Sequence, residues 1–140
     1  MEVEVNLLGV LLAAVGAMIV GSVWYAKGVF GAEWMRLAKV SEKKAKEEGM
    51  QAMVVMFILA LIAAYVLAHV TYLSDQFFTN TDYQMAAVQS GFWMWLGFVL
   101  YAQVSNAMFE QRPRKLMLLN AANSLVTFIV MGAVIGFVGL

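Results

Sequence analysis

The chain has 140 residues, enough for one domain, with 63% hydrophobic and 13% charged residues and a formal net charge of zero. Soluble domains carry roughly 45–50% apolar and about 25% charged residues, so this composition describes an integral membrane protein and excludes a disordered chain. With no cysteine, thiol catalysis, zinc-thiolate sites, iron–sulfur clusters and a disulfide scaffold are excluded, and no basic excess points to nucleic acid.

Four apolar stretches reach the ~20 residues that a bilayer crossing requires. They predict an all-α, single-domain membrane four-helix bundle, with helices over about residues 5–26, 52–73, 85–108 and 116–139. A β-barrel strand alternates apolar and polar residues, whereas Phe57-Ile58-Leu59-Ala60-Leu61-Ile62-Ala63-Ala64 is apolar on every side. The first stretch begins with Glu2 and Glu4 and no base, and its apolar run is long, so it reads as a retained helix rather than a signal peptide. Asn6 and Ser22 are its strongly polar members.

The connection to the second span carries Lys27, Arg36, Lys39, Lys43, Lys44 and Lys46. Phe30, Trp34, Leu37 and Ala38 recur at helical spacing with charges between them, which predicts an amphipathic segment in the headgroup plane. Trp24, Tyr25 and Trp34 are the expected interfacial anchors, since amphipathic rings prefer that depth. Ser41 is placed to N-cap a short helix over residues 42–48, with Gly49 as its C-terminal stop and Lys43 paired to Glu47.

The second span contains His69, the only histidine, expected as a capping or interfacial residue bonded to Gln89 or Tyr72. The next connection, residues 74–84, holds Asp75 and Asp82 and no base. The third connection is short, with Arg112, Pro113, Arg114 and Lys115. All nine basic residues thus lie in the first and third connections. The positive-inside rule places both in the cytoplasm of a plasma (inner) membrane, leaving both termini outside.

Gly9, Ala13, Ala17 and Gly21 fall every fourth position, as do Ala60, Ala64 and Ala68, and Gly132 with Gly136. Such seams let helices approach closely within a bundle, and a spare seam would serve a homo-oligomer or a larger membrane complex.

Polar side chains within the spans are costly in hydrocarbon and carry more information. Gln103, Asn106 and Glu110 share one face of the third span, and Asn120, Asn123 and Thr127 share one face of the fourth, with Ser124 adjacent. The short turn makes these helices antiparallel neighbours, so Asn106 and Asn120 sit at similar depth and could face one another. Gln103, Asn106, Glu110, Asn120 and Asn123 are the candidate ligand-binding residues, for a small solute, ion or proton. The competing reading is an amide network that glues helices, with Glu110 bridged to Arg112, Arg114, Lys115 or Lys27. No catalytic residue, metal site or cofactor is expected: Asp and Glu stay at the membrane edges, and neither HExxH nor GxSxG occurs.

Four blocks then resemble, in order, the DUF1761 family. They are Gly21-Ser22-Val23-Trp24-Tyr25 with Phe30-Gly31 and Trp34-Met35; Ala64-Tyr65-Val66-Leu67-Ala68-His69; Gly91-Phe92-Trp93-Met94-Trp95-Leu96-Gly97-Phe98; and Asn106-Ala107-Met108-Phe109-Glu110 with Arg112-Pro113 and Leu119-Asn120. The resemblance covers nearly the whole chain. It implies a small prokaryotic inner-membrane protein of four helices and implies no activity. Lys27 departs from the Ser-Pro of that family, which predicts a less abrupt exit from the first helix.

Overall fold

Helix α1, Leu7–Trp24, starts where the Asn6 side chain accepts the backbone N–H groups of Leu8 and Gly9, at 3.1 and 3.4 Å. Those N–H groups have no partner inside the helix, so a short side-chain oxygen outside the first turn fixes the start. The structure, a computed structural model, describes residues 3–78 and 80–140. Glu2, part of the acidic start, and residue 79 of the second connection lie outside the described residues.

After α1 the chain breaks at Ala26, whose backbone is extended (φ -66°, ψ 145°), so the less abrupt exit expected from Lys27 is not made. The chain then passes through a π-helical turn, Lys27–Gly31, into the short helix α2, Ala32–Ala38. The turn closes with the Gly31 N–H on the Ala26 carbonyl at 2.9 Å. A side chain at position 31 would run into the Tyr25 carbonyl oxygen, so this close approach requires glycine. Helix α2 ends with Lys39 in the left-handed region (φ 58°) and the Val40 N–H on the Met35 carbonyl. This is a Schellman ending built on a lysine.

Helix α3, Glu42–Phe77, is a single rod of 36 residues capped by Ser41. The expected stop at Gly49 is not made. Gly49 lies inside the helix and carries no positive φ. An interior glycine costs about 1 kcal/mol, whereas ending the helix there would leave four carbonyls without intrahelical partners. At ~1.5 Å per residue the rod is about 54 Å long, well beyond the ~30 Å hydrocarbon layer. Its charged first turns therefore project from the membrane.

Helix α4, Tyr83–Phe109, is capped by Asp82 and carries a π-helical turn at Trp95–Val99. It ends in a second Schellman motif, with Gln111 left-handed (φ 54°), Arg112 N–H on Ala107 O and Gln111 N–H on Met108 O. Pro113 then precedes helix α5, Arg114–Val138. Proline has no N–H to lose and pre-sets the backbone for a new helix.

The four long helices, α1, α3, α4 and α5, are each long and apolar enough to cross a membrane. They pack in the cyclic order α1–α3–α4–α5, each touching its two neighbours. The tight core is built from Val10, Ala13, Ala17, Ala64, Leu67, Ala68, Ala87, Met131 and Ile135. Apart from Ala17, just past the middle of α1, these residues come from the N-terminal halves of α1 and α4 and the C-terminal halves of α3 and α5. They therefore close one end of the bundle, where the chain termini and the acidic connection lie.

Backbone contact sets the spacing there. A Cβ on Gly132 would come 2.5 Å from the Ala87 carbonyl, and one on Gly91 would come 2.6 Å from that of Phe128. The α4–α5 seam thus carries small residues on both sides, Ala87 facing Gly132 and Gly136, and Gly91 facing the Phe128 backbone. Toward the other end α3 parts company with α4. It packs on Tyr83–Met94 and leaves the half beyond the π-turn.

Candidate functional site

The half of the bundle that the small-residue core does not close is hollow. It holds a cavity of about 1030 Å³, lined from all five helices. That is the upper end of the ~300–1,000 Å³ of small-molecule sites. All five candidate residues, Gln103, Asn106, Glu110, Asn120 and Asn123, line it. The helix faces read from their spacing thus converge on one space.

The amides do not pair with one another across the α4–α5 turn. Asn120 Oδ1 instead accepts the Tyr25 hydroxyl from α1, at 2.9 Å. Asn106 is exposed to the cavity and makes no side-chain hydrogen bond to Asn120. Tyr25 also packs edge-on against Trp34, ring centroids 5.5 Å apart, and both residues line the cavity. Trp24 turns to Phe30, at 4.7 Å, and its buried Nε1 has no acceptor among the described residues.

A second cluster lies deeper. The Trp95 indole N–H donates to Ser124 Oγ at 2.9 Å, and Ser124 Oγ lies 3.0 Å from Gln103 Oε1 and 2.9 Å from the Ala121 carbonyl. One hydroxyl proton serves those two acceptors in turn. The π-turn begins at Trp95, and a π-bulge inserts an extra residue that re-aims the helix beyond it. Here it turns Trp95 toward α5 and brings Gln103 to the same hydroxyl. Thr127 donates to the Asn123 carbonyl at 2.9 Å, while the buried Asn123 Nδ2 has no acceptor among the described residues.

The mouth of the cavity is charged. Glu110 pairs with Arg112, one of its four expected cations, at 2.9 Å, and both side chains are about half exposed. Such a pair contributes about 0–1 kcal/mol. Of the other candidates, Lys115 bonds Glu33 at 2.7 Å and Lys27 bonds Glu42 at 2.6 Å. Glu33 also takes Arg36 at 2.7 Å. Hydrogen bonds from Arg36, then Lys115, hold the Glu33 carboxyl at about 2, well below the ordinary 4.5. The Lys115 contact fastens α2, which carries Trp34 and Ala38 of the cavity wall, to the start of α5.

His69 stands apart from the cavity. Its Nδ1 donates to the Tyr65 carbonyl one turn back, at 2.9 Å, and its ring packs on Tyr65. The partner is thus a backbone carbonyl of its own helix, not the side chain of Gln89 or Tyr72. No cluster of three or more metal-ligating His, Cys, Asp or Glu occurs among the described residues.

Sequence reasoning left Trp95 and Tyr25 out of the site. For Trp95 a signal existed: an indole N–H within a span needs an acceptor, and Ser124 stands beside the amide face of the next helix. For Tyr25 the signal was ambiguous, because an aromatic pair at a helix end reads equally as a headgroup anchor.

Fold and composition together define a multi-pass α-helical membrane protein with a largely apolar hollow at one end that carries a few amides. Residues 8–136 match the family described as Protein of unknown function (DUF1761), and the chain belongs to that family. No curated protein and no solved structure matches it.

Proposed function

We propose that the protein binds or passes a small solute through the cavity at the basic end of its bundle. The observation that carries this reading is convergence. Gln103, Asn106, Asn120 and Asn123, from two helices, all line one cavity of about 1030 Å³. Amides that serve only as glue pair with each other and leave no hollow, since a polar group facing hydrocarbon is costly.

In this reading the membrane is the plasma (inner) membrane and the open end faces the cytoplasm. What supports the orientation is the placement of all nine Lys and Arg in the connections at that end. A cysteine replacing Asn80 then labels from outside with an impermeant maleimide, and one replacing Ser41 does not. The reverse pattern rejects the orientation. No native cysteine interferes.

Asn106→Leu, Asn120→Leu and Asn123→Leu test site against glue. Hydrogen bonds within membranes average only about 0.6 kcal/mol, so each variant should fold and melt within about 1–2 kcal/mol of the wild type while losing the cellular phenotype. Loss of fold and phenotype together supports glue and contradicts the site.

A second reading is an accessory subunit of a larger complex or homo-oligomer. It draws on the outward row of α4, where Trp93, Phe98 and Tyr101 are 64%, 73% and 73% exposed. Lipid covers such a row equally well, so it weighs less than the cavity.

A further inference from the structure

The polar lining of the cavity is unbalanced. Asn120 Oδ1 is occupied by Tyr25, and Gln103 Oε1 is within reach of Ser124. The oxygens of these two amides are therefore engaged, and their NH₂ groups are the remaining capacity. Asn123 Nδ2 also has no acceptor among the described residues. An amide NH₂ only donates, so these three groups call for a ligand that accepts; the lining's own acceptors, Asn106 Oδ1 and a Glu110 carboxylate bridged to Arg112, lie nearer the mouth.

The lining is also graded. Tyr25, Asn106, Arg112 and Asn120 lie near the helix ends at the mouth, while Ala17, Ala60, Ala63 and Met131 lie at the closed end. Along α3 the wall from Ala52 to Ala63 is wholly apolar. It covers about 16 Å at ~1.5 Å per residue, close to the roughly 15 Å of one leaflet of a ~30 Å hydrocarbon layer. Finally, α3 leaves the second half of α4, and the cavity residues Met53, Met56 and Leu59 are each about half exposed on the bundle surface. The hollow is thus open sideways, toward lipid, as well as at its charged mouth.

Resting on the binding role proposed above, we infer that the cavity takes a single-chain amphiphile with an acceptor headgroup, a long-chain carboxylate. Its head lies among Asn106, Asn120 and Arg112 and its chain runs along α3. A water-soluble solute needs neither the apolar wall nor the lateral opening. A cationic head would meet those amide donors and Arg112, and the one carboxylate of the lining, Glu110, is already bridged to Arg112 at 2.9 Å.

The test uses the wild-type chain in lipid nanodiscs with palmitate carrying a chain diazirine, reading cross-links by peptide mass spectrometry. Labelling of residues 52–63 should saturate and fall about tenfold under excess palmitate, as mass action requires of a single site. Excess hexadecylamine or butyrate should leave it unchanged. Labelling at lipid-facing Phe98 should follow bulk concentration and not saturate. If hexadecylamine competes as well as palmitate, the acceptor headgroup is overturned. If butyrate competes equally, the amphiphile is overturned while the small-solute role stands. Unsaturable labelling at residues 52–63 also overturns the amphiphile, and the binding role is then judged separately by water access to the cavity.

Discussion

Glu33 shows how one side chain outside the spans can hold the site's wall. Its carboxylate bonds both Arg36 and Lys115, which keeps its pKa at about 2 in place of 4.5. A depressed carboxylate pKa stabilises the fold fully above the ordinary value, and that contribution is gone once pH falls through the depressed one. The melting-temperature difference between the wild type and Glu33→Gln should therefore be constant above about pH 5, shrink below it, and vanish near pH 2. Raising salt should reduce it as well, because both cations, Arg36 and Lys115, are solvent-exposed. A difference indifferent to pH rejects the contact. The sequence displayed Glu33 only as one charge among several in an amphipathic segment. Its link to Lys115 joins residues far apart in the chain, and local spacing carries no information about that.

At the scale of elements, the small-residue seams and the hollow make opposite demands on glycine. Gly132 and Gly91 face carbonyls that a Cβ would approach at 2.5 and 2.6 Å, and nothing stands within 4 Å of a Cβ at the cavity-lining Gly21. Gly132→Ala and Gly91→Ala should destabilise by about 1–3 kcal/mol through overpacking against rigid backbone. Gly21→Ala should be neutral or gain up to about 1 kcal/mol of helix propensity. Thermal unfolding in one detergent checks all three, and equal effects would contradict the packing described. The seam at Gly132 and Gly136 was legible from fourfold spacing alone. Gly91 carries the same signal in a weaker form, four residues after Ala87 in a run that ends at Trp95, and the same spacing put Gly21 into a seam that it does not form. Spacing gives a face but not whether a partner helix covers it. Gly49 misled for a related reason. A glycine after a charged turn reads as a stop, yet the helix runs on because continuation keeps its backbone bonded.

Across the whole molecule, the fold follows from an asymmetry between the two ends of the bundle. Alanine and glycine crowd the closed end, and methionine, amides and aromatic rings surround the hollow end. Four spans, their apolar lengths and the two inward amide faces could all be read from composition and periodicity. The hollow could not, since it arises where α3 diverges from α4, a tertiary feature with no local signature. Nor could the π-turn at Trp95, which aligns Trp95, Gln103 and Ser124. The account stands on water reaching the amides from the basic end. Single cysteines at Asn120, Asn123 and Thr127, and at lipid-facing Leu118, measure this in inside-out and right-side-out vesicles with an impermeant thiol reagent. The three cavity positions should react from the basic-connection side only, with Leu118 unreactive. Silence at all three, or reaction equal to that of Leu118, would contradict a solvent-filled site and leave the amides as packing contacts.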